Sequence, residues 1–80
     1  MKMTFKNMHK ESATLFGSWL SVFEDINFSL EDVNEEEMEV NLNLSDFDLL
    51  HKENCICLVH KATLNFFHIY KNEFWKIEIC

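Results

Sequence analysis

Two thiols and two imidazoles lie within ten residues of each other, at His51, Cys55, Cys57 and His60. Sulfur and nitrogen are the atoms that Zn²⁺ binds in tetrahedral sites, usually with two or more residues between paired cysteines. Here a single residue separates the cysteines, and in a strand His60 would point to the opposite face from both. Three cysteines are also an odd number, which argues against a closed disulfide framework. We therefore predict reduced structural thiols, no metal ligands and no cofactor.

Nucleophilic catalysis requires a cysteine or serine beside a base that a third group orients. Cys80 and His68 could approach each other within a sheet, but nothing in the sequence supplies donors for an oxyanion. The only glycine is Gly17, so no glycine-rich loop exists that could hold a phosphate. We predict that the protein is not an enzyme and has no catalytic residues.

The charge distribution is the strongest functional signal. Ten acidic residues and no basic residue lie between Glu24 and Asp48, in a chain of net charge −7 that lacks arginine. A concentrated negative field accelerates association with positive partners and repels phosphate backbones. We therefore expect a basic protein partner and no direct contact with nucleic acid. The residues expected to contact that partner are Glu31, Asp32, Glu35, Glu36, Glu37, Glu39, Asp46 and Asp48.

This pattern favours a non-catalytic inhibitor. We expect a small acidic protein that binds and neutralises a basic nucleic-acid-handling protein, in the manner of an immunity protein for a nuclease toxin or a phage anti-CRISPR protein. The comparison is one of size and charge, not of sequence. The alternative is an oligomeric scaffold or regulatory subunit whose acidic face is only solvated, since surface carboxylates also maintain solubility. Self-association into a homodimer is compatible with this pattern.

The longest unbroken apolar run covers only residues 55–59. A membrane-spanning helix needs about 20 such residues, and a secretory signal needs an apolar stretch of about 7–15. We therefore predict a cytoplasmic protein that does not contact a membrane.

Eighty residues, 48% of them hydrophobic, predict a single domain covering residues 1–80. We expect an α+β fold in which an amphipathic N-terminal helix packs on an antiparallel sheet of four or five strands. Helical spacing is clearest over residues 12–25, with Thr4 or Ser12 as the N-cap. If the helix begins at Ser12, residues 2–8 form an edge strand. The apolar positions of the helix pattern are Phe5, Met8, Leu15, Phe16, Trp19, Leu20, Val22, Phe23 and Ile26.

Beyond Ile26 the period of the apolar residues changes to two. Phe28 and Leu30 alternate with polar residues, and so do the even-numbered apolar residues from 38 to 44, which predicts two strands with one apolar face each. The acidic segment 31–37 between them is expected to be a solvated loop or a helical turn. Residues 45–48 resemble a capping box and predict a short helix toward His51.

The last third predicts a meander of strands at residues 54–60, 63–70 and 74–80. A two-residue turn at Lys71-Asn72 would place Phe66 opposite Ile77 and His68 opposite Trp75. A three-residue turn would instead place Phe66 opposite Glu78, which gathers the apolar side chains less well.

Residues 55–60 and 63–70 are apolar on both faces of their strands. Because one helix covers only one face of a sheet, the other face must be covered by residues 47–50, by a second copy of the chain or by a partner. Both tryptophans, Trp19 and Trp75, are expected in the core.

Overall fold

A computed structural model describes all residues from 1 to 80 and confirms the α+β class. It contains one α-helix, α1 (Lys10–Leu20), and seven strands. The strands are β1 (Lys2–His9), β2 (Phe28–Asp32), β3 (Glu37–Asn43), β4 (Phe47–His51), β5 (Cys55–His60), β6 (Phe66–Tyr70) and β7 (Lys76–Ile79). Short 3₁₀ turns at Leu44–Asp46 and Lys71–Glu73 precede β4 and β7.

The strands form two antiparallel sheets, where the sequence predicted one sheet of four or five strands. The first sheet has the order β2-β3-β1-β7 and the second has the order β4-β5-β6. Buried residues from both sheets and from α1 belong to one hydrophobic cluster. At its centre the ring of Phe16 lies 5.3 Å from that of Phe5 on β1 and 5.4 Å from that of Phe67 on β6. Phe16 therefore connects the helix to both sheets.

Residues 2–9 form a strand at the centre of the first sheet, not a helix and not an edge strand. Phe5 pairs with Val40 and Met8 pairs with Met38, so β1 contains one extra residue between the two pairs. Such a β-bulge changes which face the following side chain occupies. Both Phe5 and Met8 are therefore fully buried although they are three residues apart. Asn7, within the bulge, has a φ of 51°, which asparagine tolerates better than most residues.

Helix α1 is shorter than predicted, and it begins after His9, not at Thr4 or Ser12. Its buried positions are Ala13, Phe16, Gly17 and Leu20, which form a regular helical stripe. Leu15 and Val22, which the pattern placed in the core, are 65% and 71% exposed. The chain leaves the helix where the Ser21 hydroxyl donates to the Gly17 carbonyl at 2.8 Å. No helix of the structure is long and apolar enough to cross a membrane.

Three predictions for the second half are wrong: the short helix after residue 45, the pairing of the last two strands and the burial of Trp75. Residues 47–51 form the edge strand β4 instead of a helix, pairing with β5. Strands β6 and β7 do not pair with each other. The second 3₁₀ turn carries the chain from one sheet to the other, where Ile77 pairs with Phe5. Trp75 is consequently 69% exposed, whereas Trp19 is partly buried against the core.

Candidate functional site

The thiols and imidazoles do not converge. Cys55 and Cys57 are buried on β5, on the face that points away from the shared core. His60 lies on the opposite face, where its ring stacks on Phe23 at a centroid distance of 4.0 Å and its Nδ1 is 2.9 Å from the hydroxyl of Thr63. No group of three or more His, Cys, Asp or Glu side chains is positioned to hold a metal ion.

Six of the eight predicted partner-binding residues lie on the β2–β3 hairpin, residues 31–39, which we call the acidic hairpin. Glu31 and Glu39 are directly opposite each other on its solvated face. Like charges in that position repel, and Lys6 of β1 offsets the repulsion. The Lys6 ammonium donates to Glu39 at 2.6 Å and lies 3.8 Å from Glu78.

The tip of the acidic hairpin is held by side-chain hydrogen bonds. The Asn34 side-chain oxygen accepts the backbone N–H groups of Glu36 and Glu37, both at 2.9 Å. The Glu37 carboxylate accepts from the side-chain amides of Asn34 at 3.0 Å and Asn7 at 3.1 Å. In addition, the backbone N–H of Lys10 donates to the Glu36 carbonyl at 2.8 Å. These bonds order the tip before any partner binds.

The same hydrogen bonds favour the charged forms of the carboxylates. Hydrogen bonds from Asn34 and Asn7 hold the pKa of Glu37 below its usual value of 4.5. The hydrogen bond from Lys6, followed by that from Asn41, lowers the pKa of Glu39 in the same way. Reciprocally, the bond to Glu39 raises the pKa of Lys6 above its usual value of 10.5. Glu37 and Glu39 therefore stay charged to lower pH than an ordinary glutamate does.

The eight carboxylates predicted to contact a partner do not form one continuous surface. Asp32 lies 3.5 Å from the Lys10 ammonium, whereas Glu35 and Glu36 are exposed and make no ion pair. Asp46 lies in the first 3₁₀ turn, which follows β3, and Asp48 lies on β4 of the second sheet. The structure thus brings together residues 31–39 and separates them from the two later aspartates.

Sequence reasoning also left one surface without an occupant. The face of the β4-β5-β6 sheet that points away from the core, here called the outer face, is not covered by α1 or by another part of the chain. Three of its large side chains are exposed: Leu50 by 48%, Phe66 by 59% and Tyr70 by 52%. Of the three alternatives for covering this face, residues 47–50 are excluded, because β4 lies beside β5 within the same sheet.

A shallow depression on the first sheet is lined by Met1, Lys2, Asn27, Phe28, Ser29, Asn41, Leu42 and Asn43. Its lining includes no carboxylate, imidazole or thiol. The acidic hairpin and the outer face are therefore the two surfaces with distinctive chemistry. Compared with protein-family models, with curated proteins and with solved structures, the chain has no match.

Proposed function

We propose that this protein is a non-catalytic cytoplasmic inhibitor that binds a basic nucleic-acid-handling protein through the acidic hairpin. The observation that supports this proposal is the ordered tip, where Glu35 and Glu36 are exposed, charged and free of ion pairs. The backbone that carries these carboxylates is already ordered, so binding loses less conformational entropy than it would for a flexible loop.

Carboxylates and phosphates bind the same lysine and arginine side chains through charge-assisted hydrogen bonds. A group of carboxylates on an ordered hairpin can therefore occupy a surface that normally binds a phosphate backbone. The partner's natural ligand would then be excluded by competition, with no chemical step. Nuclease toxins and the nucleases of anti-phage defence systems are both partners of this kind.

The decisive variant is Glu35→Gln/Glu36→Gln, because neither side chain takes part in the hydrogen bonds that hold the tip. A matched control is Glu24→Gln/Glu53→Gln, which removes the same charge from two exposed residues that make no side-chain hydrogen bond or ion pair. Both variants should melt at the wild-type temperature, because surface substitutions of this kind change stability by about 0.5 kcal/mol or less.

The partner is first captured from host lysate at low salt and released at high salt, and its nuclease or nucleic-acid-binding activity is then measured. We expect the wild-type protein to inhibit that activity. The Glu35/Glu36 variant should associate several-fold more slowly at low salt, and the difference should shrink as salt screens the charges. Equal inhibition by this variant and by wild type at low salt would show that the acidic hairpin is not the contact.

A further inference from the structure

The outer face is a regular grid of nine side chains, three from each strand. The pairing of β4, β5 and β6 places them in three rows: Asp48, Val59 and Phe66; Leu50, Cys57 and His68; Lys52, Cys55 and Tyr70. Lys52 follows β4 directly and is hydrogen-bonded through its backbone N–H to the Cys55 carbonyl at 2.9 Å. The centre of the grid is apolar, and the two charges lie at opposite ends of its β4 column.

Two contacts confirm that these side chains share one face. The Lys52 ammonium lies 3.3 Å from Nε2 of His68, and the rings of His68 and Phe66 are 5.3 Å apart. Lys52 therefore reaches across the sheet, while Asp48 has no ion-pair partner within the chain.

From this arrangement we propose that the outer face binds the outer face of a second copy of the chain. The two-fold axis lies parallel to the face and perpendicular to the strands. It places the first row of one copy over the third row of the other copy, and the middle row over the other copy's middle row. Asp48 then faces Lys52 of the second copy, twice per dimer, and Phe66 faces Tyr70 in the same way. Leu50 and Cys57 each face their own copy.

The distances suit this packing. Two sheets packed face to face lie about 10 Å apart. An aspartate and an extended lysine side chain span this gap together once the Lys52 ammonium leaves Nε2 of His68. Within one chain, Asp48 and Lys52 are four strand residues apart, or about 13 Å, too far for an ion pair. Their charges are thus complementary only between copies.

The other face-to-face arrangement, with the axis parallel to the strands, is much less favourable. It would place Asp48 over Phe66 of the second copy and Lys52 over Tyr70. A carboxylate would then be desolvated against an aromatic ring with no hydrogen-bond partner, which is costly. Charge complementarity therefore selects one axis and one pairing.

The grid also limits how strong the dimer is. Nine positions at strand spacing cover about 300 Å² per copy, less than the roughly 800 Å² per partner of a stable complex. We therefore expect a weak dimer whose proportion rises with protein concentration over about 10 μM to 1 mM. This surface is separate from the acidic hairpin, so the proposal does not depend on the proposed inhibitory function.

Sedimentation equilibrium over that concentration range tests the proposal with two charge-reversal variants. Asp48→Lys and Lys52→Asp each convert both ion pairs into repulsive pairs and should weaken self-association about fivefold or more at low salt. Mixing the two variants restores attraction at both positions. The mixture should therefore form a dimer at least as strong as that of wild type. Both variants remain negatively charged overall, so a general attraction between unlike proteins cannot explain this result.

Phe66→Ser should also reduce dimerisation, whereas Leu15→Ser, an equally exposed apolar residue on α1, should leave it unchanged. A wild-type protein that stays monomeric up to about 1 mM overturns the proposal. So does a dimer that is insensitive to the charge reversals and to their mixing, because it must use another surface. If the protein is monomeric and Phe66→Ser abolishes inhibition of the captured partner, the outer face binds that partner instead of a second copy.

Discussion

The two tryptophans form a matched pair for testing how the helix is attached to the second sheet. Trp19 of α1 has its ring 5.0 Å from that of Phe23, 5.4 Å from that of Phe67 on β6 and 5.7 Å from that of Phe47 on β4. Trp75 is 69% exposed, and the Lys76 ammonium lies 4.6 Å from its ring. The same substitution, tryptophan to alanine, should therefore have very different consequences at the two positions.

Replacing a buried tryptophan by alanine costs about 3–5 kcal/mol of unfolding free energy. Trp19 is only partly buried, so water can fill part of the space it leaves, and we expect about 3 kcal/mol. An 80-residue domain has about 4–12 kcal/mol of stability at typical values per residue. Trp19→Ala should thus retain only about 1–9 kcal/mol of unfolding free energy, and at the lower end of this range it would be barely folded. Trp75→Ala removes one exposed cation–π contact and should cost about 0.5 kcal/mol.

Urea denaturation followed by circular dichroism measures both effects. With a slope of about 1 kcal/mol per molar urea, Trp19→Ala should lower the midpoint by about 3 M and Trp75→Ala by about 0.5 M. Each variant also retains one tryptophan as a fluorescent probe. Emission from Trp19 in Trp75→Ala should occur at shorter wavelength than emission from Trp75 in Trp19→Ala. Equal midpoints for the two variants would refute this account of how the helix joins the second sheet.

The remaining predictions concern pH and helix packing. The folded-state pKa values of Glu37 and Glu39 are lowered, so both carboxylates stabilise the fold above the usual carboxyl pKa of 4.5. This stabilisation is lost as the pH falls through the lowered values. Glu37→Gln should therefore reduce the decrease in urea midpoint that wild type shows between pH 5 and pH 3. Gly17→Ala should gain about 1 kcal/mol of helix propensity. Its new Cβ would lie 2.8 Å from a Leu30 methyl, so the net change in urea midpoint should be close to zero. In a Leu30→Ala background the same substitution should be stabilising, and no difference between the backgrounds would contradict the contact.

Local pattern was sufficient for the parts of the fold that depend on neighbouring residues. The alternation of apolar and polar residues correctly predicted β2 and β3, because each of these strands turns one face to the core and the other to water. The position of β5 was correctly predicted from its continuous apolar run. It also correctly placed Cys57 and His60 on opposite faces of β5, since side chains alternate along any strand.

Helical spacing misled at the N-terminus for an identifiable reason. Phe5 and Met8 are three residues apart, as on a helix, but a bulge in β1 is what directs both side chains to the core. A bulge is defined by the partner strand, and nothing within residues 2–9 records it. The pairing of Phe5 with Ile77 likewise joins the two ends of the chain and cannot be deduced from either strand alone.

Of the two candidate surfaces, some properties follow from the sequence alone and others from the tertiary structure. The sequence by itself determined that the segment around the acidic hairpin is negative, because charge depends only on composition. Tertiary structure decided which carboxylates are free, since Lys6 and Lys10 reach Glu39 and Asp32 from outside the acidic segment. It also decided that the two apolar faces of β5 differ. One meets the helix and the first sheet, whereas the other is left open because a sheet has two faces and this chain has only one helix to cover them.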